Sequence, residues 1–298
     1  MLNYILLLVS LALGTGKNLF SKWGEKSFGS LGGLMSVNML TSLLAVVVFA
    51  LGGIRFSAVD GAFVLLALVY GALTLGSQSF YITAVKGGSV AVCSLIYASC
   101  FVIPTIYSVI RSHEAVSVTK AAGILLMIVS VVLVSLRGKD GTVPTEPTKK
   151  GSSHIGLALL AMLCAGSVGI IQKVFGVRYP ADTLSTFLLL AFAAMLLFSG
   201  IGKGVICLSG RQAGAAKIRY DRSFLLPAVL LAICVVFANR LNLLLVSALP
   251  GIVFFPLING GTIMLSAIGS GVFFHEKISL RVWLGIAIGV AAIVLIAI

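Results

Sequence analysis

Acidic side chains are scarce in this sequence. Eight Asp and Glu stand among 298 residues, against 21 Lys and Arg. All of them (Glu25, Asp60, Glu114, Asp140, Glu146, Asp182, Asp221 and Glu276) lie at or near the joints between long apolar runs. Acid–base catalysis by paired carboxylates, and exchange of a proton for a cation at a membrane-buried carboxylate, need an acid inside the structure, and no run places one there. Histidine is as thin: His113, His154 and His275 fall near joints, none paired with another at helical metal spacing, so no metal is expected. Cys93, Cys100, Cys164, Cys207 and Cys234 show no C-x-x-C spacing and sit mostly in apolar runs. They read as small buried hydrophobes, not as a disulfide framework or a zinc site. No G-x-S-x-G elbow, Walker A loop or H-E-x-x-H helix occurs, which excludes an ATP-driven pump acting through this chain alone and leaves no expected cofactor and no enzyme chemistry.

What fills the chain instead is apolar. Hydrophobic residues make up 59% and charged residues 10%, with a mean hydropathy of +1.16. The apolar runs at 2–21, 31–53, 60–84, 88–110, 119–137, 155–175, 182–206, 223–247, 251–273 and 280–298 are each near the roughly 20 residues a helix needs to cross a hydrocarbon layer about 30 Å thick. Lipid requires every backbone amide to be satisfied within its own segment, so helices are expected. The fold class is an all-α polytopic membrane protein with ten transmembrane helices and the lipid bilayer as its main partner. The net charge of +13 comes from Lys and Arg mostly in the joints, where they orient helices and meet headgroups; no basic stripe interleaved with aromatics exists, so nucleic acid is not expected. The run Leu2–Leu13 lacks a basic start and is continued by Gly14–Trp23, which marks a retained first span rather than a secretion signal. Two joints are long and polar: 138–153, with Pro144, Pro147, Lys149 and Lys150, and 207–222, with Arg211, Lys217, Arg219 and Arg222.

The chain repeats itself. The stretch opening at His113-Glu114 aligns without gaps on the one opening at His275-Glu276, with Ser117/Ser279, Gly123/Gly285, Ile124/Ile286, Val132/Val294 and Leu133/Leu295 identical. Duplication divides the chain into 1–137, a linker at 138–153, and 154–298, with five spans in each half. An odd number of spans per half turns the halves upside down relative to each other, an architecture that recurs in transporters with the substrate path near the midplane.

A span ending in His-Glu, a short polar joint, and a further span opening with x-x-x-Gly, twice in a ten-span chain, resembles the drug/metabolite transporter superfamily, in its EamA-like exporter branch. The resemblance covers essentially the whole chain and carries no catalytic motif. It implies transport of small solutes such as amino acids and metabolites. Where the family more often has Gly-Glu, this chain has His113 and His275. Small multidrug-resistance relatives carry a Glu in their first span; here Leu2–Ser21 has none, which argues against cationic drugs as cargo. Lys and Arg gather in the odd-numbered joints, which on the positive-inside rule puts both termini outside, whereas the resemblance implies both termini inside.

Positive charge does enter the spans. Arg240, in Ala-Asn-Arg-Leu-Asn, lies well inside the eighth run, and Lys17 late in the first. A charge at a helix centre costs about 2.5–3.5 kcal/mol on insertion scales, unless the side chain snorkels to an interface. A guanidinium in a wet cavity suits a carboxylate or phosphate, which it grips with two parallel hydrogen bonds. The candidate substrate-binding residues are Arg240, Gln78, Asn242, Tyr97, Asn259 and Lys17, with Gln78 at the repeat position of Arg240. Pro104 and the run Pro256-Leu-Ile-Asn-Gly-Gly are expected to break helical bonding. Gly285-x-x-x-Gly289 allows close packing, on a neighbour in the bundle or on a second copy. The expected function is a secondary transporter, an exporter of amino-acid-like or organic-anion metabolites in the cell (inner or plasma) membrane, acting as a monomer or weak homodimer with a coupling ion of unassigned identity. The alternatives are a non-transporting structural or lipid-handling membrane protein and a cationic-drug exporter.

Overall fold

The computed structural model describes residues 2–55, 59–87, 90–111, 114, 116–135, 153–208, 220–276 and 278–297. His113, the linker at 138–152 and the basic stretch at 209–219 lie outside the described residues. The described chain is helical: α1 Leu2–Trp23, the short α2 Glu25–Phe28, α3 Leu31–Leu51, α4 Gly61–Gly87, α5 Val90–Ala98, α6 Val102–Arg111, α7 Val118–Ser135, α8 Ser153–Arg178, α9 Leu184–Leu208, α10 Arg222–Ala248, α11 Gly251–Phe274 and α12 Leu280–Ala297. Among the described residues nine helical spans are long and apolar enough to cross a membrane, and Leu280–Ile296 is a shorter apolar one. Their outer faces carry bare Leu65, Leu125, Leu197 and Ile201, each more than 60% exposed, surface that water would penalise and lipid does not. This is a multi-pass membrane protein.

Several joint residues are helix caps. Ser30 Oγ accepts from the Gly33 amide at 2.9 Å and Asp60 Oδ1 from the Phe63 amide at 2.6 Å. Asp221 Oδ1 accepts from the Phe224 amide at 3.2 Å, and Ser117 Oγ from the Lys120 amide at 3.2 Å. Each satisfies one of the four amide donors that a helix start leaves orphaned. The fourth run is broken as expected beside Pro104, by a 3₁₀ turn at Ser99–Phe101 between α5 and α6. The expected break at Pro256 is not there. Pro256 lies inside a continuous α11: a proline removes a single amide bond, and lipid rewards keeping the rest.

At its other end α11 stops at His275, whose φ of 52° is left-handed. Glycine adopts that conformation freely, and a residue with a Cβ pays about 1 kcal/mol for it. His275→Gly is therefore expected to stabilise the protein by about 0.5–1 kcal/mol, read as a raised melting temperature in detergent; an unchanged or lowered one refutes the strain.

The chain forms two compact units, each drawing on both sequence halves: residues 1–79 with 171–248, and 80–170 with 249–298. In the first unit α3 and α9 run antiparallel, with Met35 against Gly202, Phe49 stacked on Phe192 (centroids 6.1 Å apart), and the Arg55 amide on Thr186 Oγ1 at 2.9 Å. The α1–α10 pair is likewise antiparallel: Ser10 Oγ donates to Asn242 Oδ1 at 2.5 Å and Gly16 faces Cys234. Phe63, Phe175, Tyr179 and Phe187 make an edge-on aromatic core between α4, α8 and α9. Gly71 lets the α4 backbone lie directly on the carbonyl of Ala191 and the amide of Met195.

In the second unit α7 and α12 pack antiparallel, and their contacts come in exchanged pairs. Gly285 faces Val134, and Gly123 faces Ile296; Gly285 also faces the Ser130 carbonyl, and Gly123 the Ala292 carbonyl. Each contact is the image of the other under the shift that carries His113 onto His275. Ser130 Oγ donates to the Gly285 carbonyl at 2.7 Å. Gly289 meets Met264 and Ser130, so the small-residue stripe of the last helix packs within the chain. Gly166 and Gly169 of α8 receive Ile103 and Pro104.

Candidate functional site

The first unit holds a polar cluster in the middle of its apolar helices. Tyr70 of α4, 3% exposed, donates its hydroxyl to Asn239 Oδ1 on α10 at 2.6 Å and accepts from Gln172 Nε2 on α8 at 3.1 Å. Asn239 Nδ2 returns to the Val235 carbonyl at 2.8 Å. Three helices are tied through one hydroxyl, whose groups would each cost about 1–3 kcal/mol if buried alone. Lys173, next along α8, is 7% exposed, a cation buried among apolar helices. Around the seam of α3 and α9, Asn38 Nδ2, Ser42 Oγ and Ser199 Oγ are buried with no protein partner among the described residues.

Toward the end of this unit where α3 and α8 finish and α9 begins, charges concentrate. Arg178 lies 3.3 Å from Asp60 and Arg55 lies 3.8 Å from Asp182. Asp60 also accepts the Tyr179 hydroxyl at 2.8 Å. The Phe63 amide, then the Tyr179 hydroxyl, hold the Asp60 carboxyl below the usual carboxylate range, outweighing desolvation. Burial and the bond to Asp60 push the Tyr179 phenol up. Arg240 reaches the same rim from inside α10: its Nη1 donates to Ser185 Oγ in the first turn of α9 at 3.0 Å, beside Gly52 at the end of α3. Among the described residues no carboxylate forms an ion pair with it. The long side chain has carried its charge toward the ends of the helices, and there it is met by a neutral hydroxyl where Arg55 and Arg178 are met by acids. A cavity of ≈ 50 Å³, lined by Phe175, Tyr179, Leu243 and Ser247 among others, opens nearby; it has room for water, not for a metabolite.

The residues picked from the sequence divide between the two units. Lys17, Gln78, Arg240 and Asn242 belong to the first unit, and Tyr97 and Asn259 to the second. Arg240 turns to α9 while Asn242 takes Ser10 of α1, because two residues along a helix are about 200° apart around its axis. Lys17 is exposed on α1, and Gln78 is half-buried on α4. The Tyr97 ring stands 4.7 Å from that of Tyr81, whose hydroxyl shares a 2.8 Å hydrogen bond with Ser94 Oγ. Asn259 Nδ2 donates to its own helix at the Phe255 carbonyl, 2.9 Å away. The sequence reading gave no part to Tyr70, Ser185 or Lys173; the polar dipeptide Gln172-Lys173 inside an apolar run was the available signal.

Glu114 is the largest surprise. It leaves its own neighbourhood to clamp the start of α11, Oε1 accepting from the Gly251 amide at 2.9 Å and Oε2 from the Ile252 amide at 2.8 Å. The sequence reading had its His-Glu pair closing a span.

No family model and no curated protein matches the chain. Solved structures do: a crystal structure of a protein 16% identical superposes with a TM-score of 0.67, covering 97% of this chain and 98% of that one. At such identity the likeness is one of fold alone, and it extends over both chains nearly end to end.

Proposed function

We propose that the protein is a secondary transporter, an exporter that moves small amino-acid-like or organic-anion metabolites across the cell membrane by alternating access, and not an enzyme. The observation that carries this reading is the antiparallel packing of repeat counterparts: the second and seventh spans, α3 and α9, in one unit, and the fifth and tenth, α7 and α12, in the other. Counterparts that run in opposite directions are what an inverted duplication of five spans requires, and inverted halves are a recurrent frame for carriers. A purely structural membrane protein has no need of a polar cluster and a buried lysine within its spans, each of which costs insertion energy.

The anionic cargo rests on Arg240. At the rim of the first unit it is the arginine whose contact is a neutral hydroxyl, and the eight carboxylates all keep to the joints, so the spans favour a negative guest over a cationic drug. Purified protein in vesicles is expected to move a radiolabelled organic acid, and Arg240→Gln to reduce that flux at least ten-fold, which corresponds to about 1.4 kcal/mol of lost contact. Unchanged flux of every candidate acid in the variant removes the cargo assignment. Absence of flux for any metabolite with well-folded protein removes transport itself.

A further inference from the structure

We infer that Glu276 is a second helix clamp, holding the start of α5 as Glu114 holds the start of α11. The inference goes beyond transport and does not rest on it. Three observations bear on it, all within the second compact unit. The first is the Glu114 clamp itself, in which both carboxylate oxygens take neighbouring amides of α11, at 2.9 and 2.8 Å. A carboxylate placed there satisfies two orphaned donors and faces the positive end of the helix dipole. The second is register: the shift that carries His113 onto His275 carries Glu114 onto Glu276, and it carries Val90, the first residue of α5, onto Ile252. The third is that this shift acts in space as well as in sequence. Gly123 with Ile296 and Gly285 with Val134 are the same contact with the partners' roles exchanged, as are Gly123 with the Ala292 carbonyl and Gly285 with the Ser130 carbonyl. A two-fold relation that maps α7 onto α12 in this way maps the Glu114 clamp onto one made by Glu276 at Val90.

The consequence is reciprocal. Glu114 belongs to the first sequence half and holds a helix of the second; Glu276 belongs to the second and holds a helix of the first. Each half thus fixes where the other's fourth span begins, through a charged hydrogen-bond pair. Chain proximity would not suggest such a link, since Glu114 and Gly251 are 137 residues apart.

Hydrogen exchange on the full-length protein in detergent, followed by mass spectrometry, tests the pairing. Glu276→Ala is expected to speed exchange of the first-turn amides of α5 about ten-fold or more, the scale of a lost charge-assisted hydrogen bond, and to leave the first turn of α11 unchanged. Glu114→Ala is expected to do the converse. Glu276→Gln keeps one acceptor and the side-chain volume, so it is expected to give a smaller rise at α5 and serves if the alanine variant fails to fold. Exchange at α5 that stays within two-fold of the parent in the Glu276 variants overturns the inference, as does deprotection of α11 in place of α5.

Discussion

Glu114→Ala is expected to destabilise the protein by about 2–3 kcal/mol, a drop in melting temperature of roughly 5–10 °C for a chain of this size. The size follows from what the side chain does. Both its oxygens are engaged, by the Gly251 and Ile252 amides, so truncation leaves two donors at the mouth of α11 without their partner and removes a negative charge from the positive end of a helix. Gly251 is also pressed on Ser108, close enough that a Cβ there would collide with the serine hydroxyl. Glu114→Gln keeps the length and one acceptor oxygen, and about half the loss is expected. Thermal unfolding in detergent compares the two; an alanine variant melting within about 1 °C of the parent would show that the clamp is ornamental.

The second large effect is expected at Gly71. Its hydrogen faces the carbonyl oxygen of Ala191 and the amide of Met195, and these are backbone atoms of α9 that cannot rotate aside as a side chain would. Gly71→Ala is expected to cost about 2–3 kcal/mol, because a methyl group forces α4 and α9 apart and overpacking strains both. The damage spreads: Tyr70 is the next residue, and its bonds to Asn239 and Gln172 depend on where α4 lies. Gly200, on α9 itself, has open space where its Cβ would be. Gly200→Ala is the matched control, and it is expected to be neutral or to gain up to about 1 kcal/mol from the better helix propensity of alanine. Equal melting temperatures for the two variants would refute the close approach.

Much of this molecule was legible before any coordinates, and the reason is dimensional. Whether a segment can cross a membrane depends on its length and apolarity, which are properties of the segment alone. The spans expected at 31–53, 223–247 and 251–273 duly appear as Leu31–Leu51, Arg222–Ala248 and Gly251–Phe274. The 3₁₀ turn beside Pro104 was legible for a similar reason, since proline acts on its own helix. The same local rule failed at Pro256, where the helix continues past the one amide bond that proline removes.

What resisted reading is everything that depends on which face of a helix meets which neighbour. Arg240 and Asn242 look like one motif in sequence, yet α10 aims them at α9 and α1 respectively. Tyr70 carried no signal of its own; it matters because Gln172 and Asn239 arrive beside it from two other helices. Glu114 looked like the end of one span, and its partners lie at the start of another far along the chain. The amino-acid sequence by itself determined that the chain is a series of apolar helices able to cross a membrane, and roughly where each lies, because hydropathy and chain-local sterics are written residue by residue. Only the tertiary structure decided which polar groups are satisfied, which arginine meets a neutral hydroxyl and which carboxylate holds which helix, because hydrogen bonds a few ångströms long are set by packing in three dimensions.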